Sequence, residues 1–229
     1  MIDSDPKLSN LILVHAVLSA GLNLVSSVRT RGVRRSAVFL ALGTGVPAAG
    51  ELLATGPLKL LRHRTRPRVA GVPIAVVLGW YGVIHGSFTV AWRVLEWMSL
   101  GENAKRAALP PVAVLIGVSL DLILDPAGLD AGLWEWSSAG AYAQEIEGAN
   151  GHGGVPIINY LGWSALVSGV VSICGLMCEH EGERGTLPAI LLLPYYLAAV
   201  GWALRRRKLR YLLYSAPFPV ALYAGLKEI

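Results

Sequence analysis

Charge is what this chain has least of. Only 15% of its 229 residues are Asp, Glu, Lys or Arg, against about a quarter in a soluble domain. That excludes an ordinary water-soluble fold. Cysteine is almost as scarce. Cys174 and Cys178 lie four residues apart inside one apolar run. They share a helix face, and no further Cys or His at ligand spacing joins them, so both read as packing residues rather than zinc ligands. The fingerprints of nucleotide and metalloprotease chemistry are missing: there is no Walker A lysine motif, no strand-flanked Gly-x-Gly-x-x-Gly and no His-Glu-x-x-His. No paired Asp-Asp-x-x-Asp is available to hold a diphosphate through magnesium, which argues against prenyl transfer. The first ten residues carry Asp3 and Asp5 but neither a basic n-region nor a small-residue cleavage site. The first apolar run is therefore expected to be a retained span.

What is present is apolar. Hydrophobic residues make up 54% of the chain, and the mean hydropathy is +0.52. The 26 glycines suit closely packed membrane helices. Apolar runs occupy about 11–28, 36–54, 72–95, 107–124, 155–178, 187–203 and 209–226. A span needs roughly 17–25 residues. The pattern predicts an all-α, polytopic transmembrane bundle of about seven helices, forming one integral-membrane domain over 1–229, multi-pass in the plasma membrane. The formal net charge of +5 comes from short Arg clusters that flank these runs. Such clusters set topology, so membrane lipid, not nucleic acid, is the expected partner.

The second run is the weakest. It holds Gly43, Gly45, Pro47, Gly50 and the ionisable Glu51, and reads as a full span, a kinked span or a re-entrant segment. If all seven runs cross, Lys and Arg divide eleven against nine between the two sides; if the second does not, leaving six full spans, they divide fourteen against six. The positive-inside rule prefers the second arrangement, although seven helices remain the expectation. The connection at 125–154 has five acidic residues and no Lys or Arg. It is expected on the outer side, or folded back over the bundle.

An internal repeat is visible. Gly71-Val-Pro73-Ile followed by Leu78-Gly-Trp80 recurs as Gly154-Val-Pro156-Ile followed by Leu161-Gly-Trp163, at an offset of 83 residues that also maps Gly86 onto Gly169 and Glu96 onto Glu179. Each copy puts Pro at a helix start, where its missing N–H costs nothing. The halves, about 36–96 and 107–179, are expected to run in parallel with a site between them. The other reading is that the motif is only a helix-start signature.

Ionisable groups at membrane depth are expensive, so each is a candidate for chemistry. Asp121 and Asp125 sit at i and i+4 on one helix face at the end of the fourth run. Two carboxyls a turn apart repel when both are ionised, so the pair is expected to retain a proton and serve as a general acid. The plainer reading is that Asp125-Pro126 ends the helix and Asp121 pairs with a neighbouring span. Glu51 is a third carboxyl. His85, in mid-span, is either a hydrogen-bonded core residue or part of the site. Asn159, one turn after Pro156, can hold a water or fix a carboxyl. Trp134, Trp136, Tyr142, Tyr160 and Trp163 gather around this acidic stretch, with Trp80 in the first repeat copy. Ring faces stabilise cations, which suits carbocation chemistry on a greasy polyene and equally suits anchoring at the lipid–water interface.

The run Asp121-Leu-Ile-Leu-Asp125-Pro126, then Gly132-Leu-Trp134-Glu-Trp136, then Gly154-Val-Pro156 with Asn159 and Gly162-Trp163, resembles the carotenoid biosynthesis membrane proteins, the family of carotenoid 1,2-hydratases that includes the bisanhydrobacterioruberin hydratases. The resemblance is most specific over 121–163 and extends back to Glu51 and to Gly71–Trp80. Two segments depart from it. Where members carry aromatics before the first Gly-Val-Pro, this chain has the basic Gly56-Pro-Leu-Lys-Leu-Leu-Arg-His63, and an extra segment at about 143–153 precedes the second. The resemblance implies hydration of a terminal double bond in a linear carotenoid, a carbon–oxygen lyase reaction that needs no redox cofactor or metal. Asp121 and Asp125 would be the acids, Glu51 a third carboxyl and Asn159 the residue positioning water. The polyene would lie against Trp80, His85, Trp134, Trp136, Tyr142, Pro156, Tyr160 and Trp163. A small membrane transporter or lipid-binding protein, framed by the repeat, is the alternative from another class.

Overall fold

The computed structural model describes residues 5–177 and 185–227. Cys178, Glu179 and Arg184 lie outside these, and with them the Glu96–Glu179 match of the repeat. Among the described residues, six helical segments are long and apolar enough to cross a membrane. They are α1 (Pro6–Arg31), α2 (Val33–Thr55), α3 (Ile74–Trp97), α4 (Glu102–Asp130), α5 (Ile157–Met177) and the pair α6 (Leu187–Ile190) and α7 (Leu193–Arg205). The last apolar run is broken into α8 (Arg210–Tyr214) and α9 (Pro217–Leu226). The molecule is an all-α polytopic bundle.

Contacts along the helices give their directions. Ser19, Asn23 and Arg31 of α1 meet Gly82, His85 and Phe88 of α3 in the same order, so the two are parallel. On α2, Glu51, Gly43 and Phe39 meet Trp80, Tyr81 and Phe88 in reverse order. On α4, Asp125, Gly117 and Leu109 meet Asn159, Val167 and Gly175, again reversed. Leu192 and Tyr195 lie against Gly86 and Gly79, so α6–α7 descends alongside α3, while Phe218 and Gly225 of α9, against Tyr196 and Val90, ascend. Successive helices therefore alternate. α2 takes part as an unbroken 23-residue helix that carries Pro47 in its interior. Six helices are thus of spanning length, as the sequence allowed, but α2 is one of them, and the run that falls short is the last.

The reason loop charge pointed away from α2 is electrostatic. The acidic connection lies across the bundle from the basic cluster at 29–35 but folds back among those at 59–68 and 205–210. Glu135 pairs with Arg62 at 3.3 Å and Arg64 at 3.6 Å, Asp130 with Arg206 at 2.9 Å, and Glu145 with Lys208 at 3.7 Å and with Arg210. Basic residues neutralised on their own side are poor markers of that side.

The loops at this end carry structure that helical periodicity did not predict. Strand β1 (Leu61–His63) pairs antiparallel with β4 (Trp134–Trp136), β2 (Arg68–Val69) with β3 (Val72–Pro73), and β5 (Tyr142–Glu147) with β6 (Gly153–Val155). β3 and β6 lead into α3 and α5 through the two Gly-Val-Pro copies. Gly71 and Gly154 both take positive φ, +90° and +82°, where a side chain would be strained. Gly154 also lies so near the Gly140 and Tyr142 carbonyls that a Cβ would stand 2.5 and 2.7 Å from them. Trp80 and Trp163, seven residues after their prolines, are in contact with ring centroids 4.2 Å apart. Gly86 and Gly169 differ: a Cβ at Gly86 would strike Leu192 at 2.6 Å, whereas Gly169 faces open space.

Pro126 does not end α4, contrary to the plainer sequence reading. The helix runs on to Asp130. Proline lacks the N–H that would bond the carbonyl four residues back, here that of Leu122, and the Tyr142 hydroxyl donates to that carbonyl instead, at 2.7 Å.

Candidate active site

Two carboxyl centres, one buried and one half-buried, lie at the end of the bundle where the β pairs fold. The first is on α4. Asp121 and Asp125 are each 3% exposed. Asn159, in the first turn of α5, donates through Nδ2 to Asp121 Oδ2 at 2.8 Å and to Asp125 Oδ2 at 2.7 Å. One amide therefore bridges both acids, using both of its hydrogens. Trp134 Nε1 donates to Asp125 Oδ1 at 2.5 Å. Its ring reaches there because residue 128 is glycine: a Cβ at Gly128 would stand 2.1 Å from the indole. Trp136, 5% exposed, places its indole beside Asp125 without a hydrogen bond of normal geometry.

The second centre is Glu51, on the last turns of α2. It accepts from Trp80 Nε1 at 2.9 Å and lies 2.9 Å from His63 Nε2. Both Glu51 oxygens are thus engaged by side chains of neighbouring elements. The β1–β4 ladder joins the centres, because His63 is the register partner of Trp134 and their rings meet edge to face at 6.5 Å. Arg68 donates to the His63 carbonyl at 2.5 Å.

Tyrosines close the other flank. Tyr142 meets Tyr160 edge to face at 5.4 Å, and beyond it Tyr211 and Tyr214 at 5.7 and 5.9 Å. The Tyr160 hydroxyl is buried and has no hydrogen-bond partner among the described residues. Outside Tyr142 lies a cleft of about 250 Å³ lined by Tyr142, Gln144, Glu145, Arg210, Tyr211 and Tyr214, among others. Desolvation alone would raise the Glu145 carboxyl, but hydrogen bonds from Tyr211, at 2.6 Å, and Arg210 hold it below its ordinary value. Among the described residues no three His, Cys, Asp or Glu side chains converge as metal ligands do.

The sequence-derived candidates thus divide. Asp121, Asp125, Asn159, Trp134, Trp136, Tyr142 and Tyr160 come together, with Glu51, Trp80 and Trp163 beside them. Pro156 shapes the start of α5 and makes no polar contact with the acids. His85 is elsewhere. Its Nδ1 lies 3.0 Å from Asn23 Oδ1, and its ring packs on Phe39 and Tyr81 in the core of α1, α2 and α3. His63 was not singled out in sequence, because it sits in a basic run and its partners come from α2 and β4, 12 and 71 residues away.

An acid pair buried at one end of a bundle of membrane-length helices defines an integral membrane protein with a candidate acid centre in its interior. The chain matches the family model described as carotenoid biosynthesis protein over residues 10–222, and it belongs to that family. Comparisons with curated proteins and with solved structures give no match.

Proposed function

We propose that this protein hydrates the terminal double bond of a linear carotenoid, in the plasma membrane. The observation that carries the reading is the Asp121–Asn159–Asp125 bridge. Two carboxyls that accept from one amide nitrogen, in a water-poor interior, are most stable with a proton held between them. That proton passes to the terminal alkene carbon as the π pair forms the new C–H bond, leaving a tertiary cation. The ring faces of Trp134 and Tyr160 and the remaining carboxylate stabilise the cation. Water then adds through oxygen and gives up a proton, which restores the acid. The Asn159 amide oxygen is an acceptor for a hydrogen of that water. Trp80, Trp136, Tyr142 and Trp163 supply the apolar faces along which the polyene would lie.

The test is pigment extraction from a host that accumulates a linear carotenoid, with and without this chain. A product heavier by one water is expected with the parental chain and absent with at least one of Asp121→Asn and Asp125→Asn. Unchanged pigments beside abundant, folded protein would instead favour the transport or lipid-binding reading.

A further inference from the structure

The mechanism above leaves one buried polar device unused. His63 is 3% exposed. Its Nε2 faces Glu51 Oε2 at 2.9 Å, while Oε1 of the same carboxyl takes the Trp80 N–H. A carboxylate can only accept, so His63 donates through Nε2–H. In the neutral ring this leaves Nδ1 with its lone pair. Nδ1 is itself buried and meets no donor or acceptor among the described residues. Were Nδ1 protonated with no acceptor, it would be a buried orphan donor, costing about 1–3 kcal/mol. A histidine held in one tautomer by a carboxylate, with its other nitrogen open, is how an oriented general base is built. The ring stands edge-on to Trp134, whose indole is bonded to Asp125. Trp134 thus links the His63–Glu51 pair to the acid pair.

We propose that His63 is the base that takes the proton from the attacking water, with Glu51 as its orienting partner; this rests on the hydration reading. Asp125 or Asp121 gives its proton to the alkene. A water lone pair forms the C–O bond to the tertiary cation as one O–H bond breaks and its proton passes to His63 Nδ1. Glu51 stabilises the imidazolium, which returns its proton through water to the aspartate pair. The balance is alkene plus water to tertiary alcohol, with every group restored. The division of labour gives acid and base to two carboxyl centres that Trp134 connects. Capture by an activated water then competes with loss of the proton back to the acid.

The experiment separates protonation from water capture. Purified protein in detergent is incubated with a linear carotenoid in D2O, and both hydroxylated product and deuterium in recovered substrate are measured by mass. Reversible protonation alone labels the terminal carbons. The parental chain should do both, and the double variant Asp121→Asn/Asp125→Asn neither. His63→Gln should still exchange deuterium but hydrate about 10²-fold more slowly, the lower range for a lost general base. His63→Ala should behave alike and recover hydration on addition of imidazole, a rescue that a packing role would not give and that makes each sample its own folding control. The assignment is overturned if the His63 variants hydrate at the parental rate, if they lose exchange and hydration together, or if imidazole restores nothing. A parental chain that neither exchanges nor hydrates would refute the hydration reading, and this assignment with it. An active parent with unaffected His63 variants refutes His63 alone.

Discussion

Pro126 and Tyr142 are expected to be coupled through a single carbonyl. Proline at 126 deprives the Leu122 carbonyl of its helical donor, and the Tyr142 hydroxyl replaces it at 2.7 Å. Tyr142→Phe keeps the ring and its contacts with Tyr160, Tyr211 and Tyr214 but orphans that acceptor. A buried orphan costs about 1–3 kcal/mol, and hydrogen bonds in membrane bundles fall near the bottom of such ranges, so about 1 kcal/mol is the expected loss. In Pro126→Ala the new N–H of residue 126 can bond the carbonyl itself. Tyr142→Phe should then cost well under about 0.5 kcal/mol, leaving a coupling of roughly 0.5–1 kcal/mol. The measurement is reversible unfolding of all four proteins in mixed micelles titrated with SDS, followed by tryptophan fluorescence. Equal costs of Tyr142→Phe in both backgrounds would refute the reasoning.

Other outcomes follow from the same geometry. Asp121→Asn and Asp125→Asn are each expected to leave folded protein, with at least one lowering hydration about 10²–10⁴-fold; specific activity is the quantity to measure, with membrane yield as control. Gly128→Ala places a methyl where Trp134 stands, 2.1 Å from the ring, and should cost about 1–3 kcal/mol by overpacking together with the near-ultraviolet circular dichroism of the displaced indole. Arg34→Cys and Arg62→Cys should be labelled from opposite sides of the membrane by an impermeant thiol reagent, because α2 is long enough to cross between them; labelling from one side would restore the arrangement in which the second run does not cross. The Glu145 carboxyl, held below its ordinary value, contributes stability that is present above that ordinary value and lost as pH falls through the lowered one. The stability difference between the parent and Glu145→Gln should therefore shrink as pH falls below about 4.5, read by the same SDS titration.

The bundle was legible because lipid imposes a length on every span, and apolar length is written directly in the sequence. Topology was less legible for a reason visible in Glu135, Asp130 and Glu145. These acids pair across loops with the Arg and Lys residues whose count was to mark the sides. Counting treats a charge as solvated, and here the charges are spent on one another. Glycine and proline were equally double-edged. Gly43, Pro47 and Gly50 lowered expectations for α2, yet Gly43 is where Tyr81 packs, with only 3.1 Å to a would-be Cβ, and Gly50 is where Leu166 fits, at 3.3 Å. In a membrane bundle small residues mark close helix contact, so the features that weaken a helix in water support one here.

The acid pair was legible because its spacing is local: i and i+4 on one face is a property of five consecutive residues. Its environment was not. Whether Asp125 caps a helix or faces into it depends on Tyr142, 17 residues further on, and the Glu51 centre depends on a strand pairing that joins His63 to Trp134 across 71 positions. The basic stretch at 56–63, a departure from the family pattern, proves to be the strand that carries His63 to Glu51, and the extra segment near 143–153 is largely β5 and its turn into β6. Neither departure removes a group from the acid pair. Both sit where the loops wrap it, one supplying a buried imidazole and the other forming the wall outside Tyr160. The aspartates and Asn159 come from the spans, and the surroundings that decide how a cation would be captured come from the loops. Substitutions in the loops should therefore redirect the outcome of protonation, whereas substitutions in α4 should abolish it.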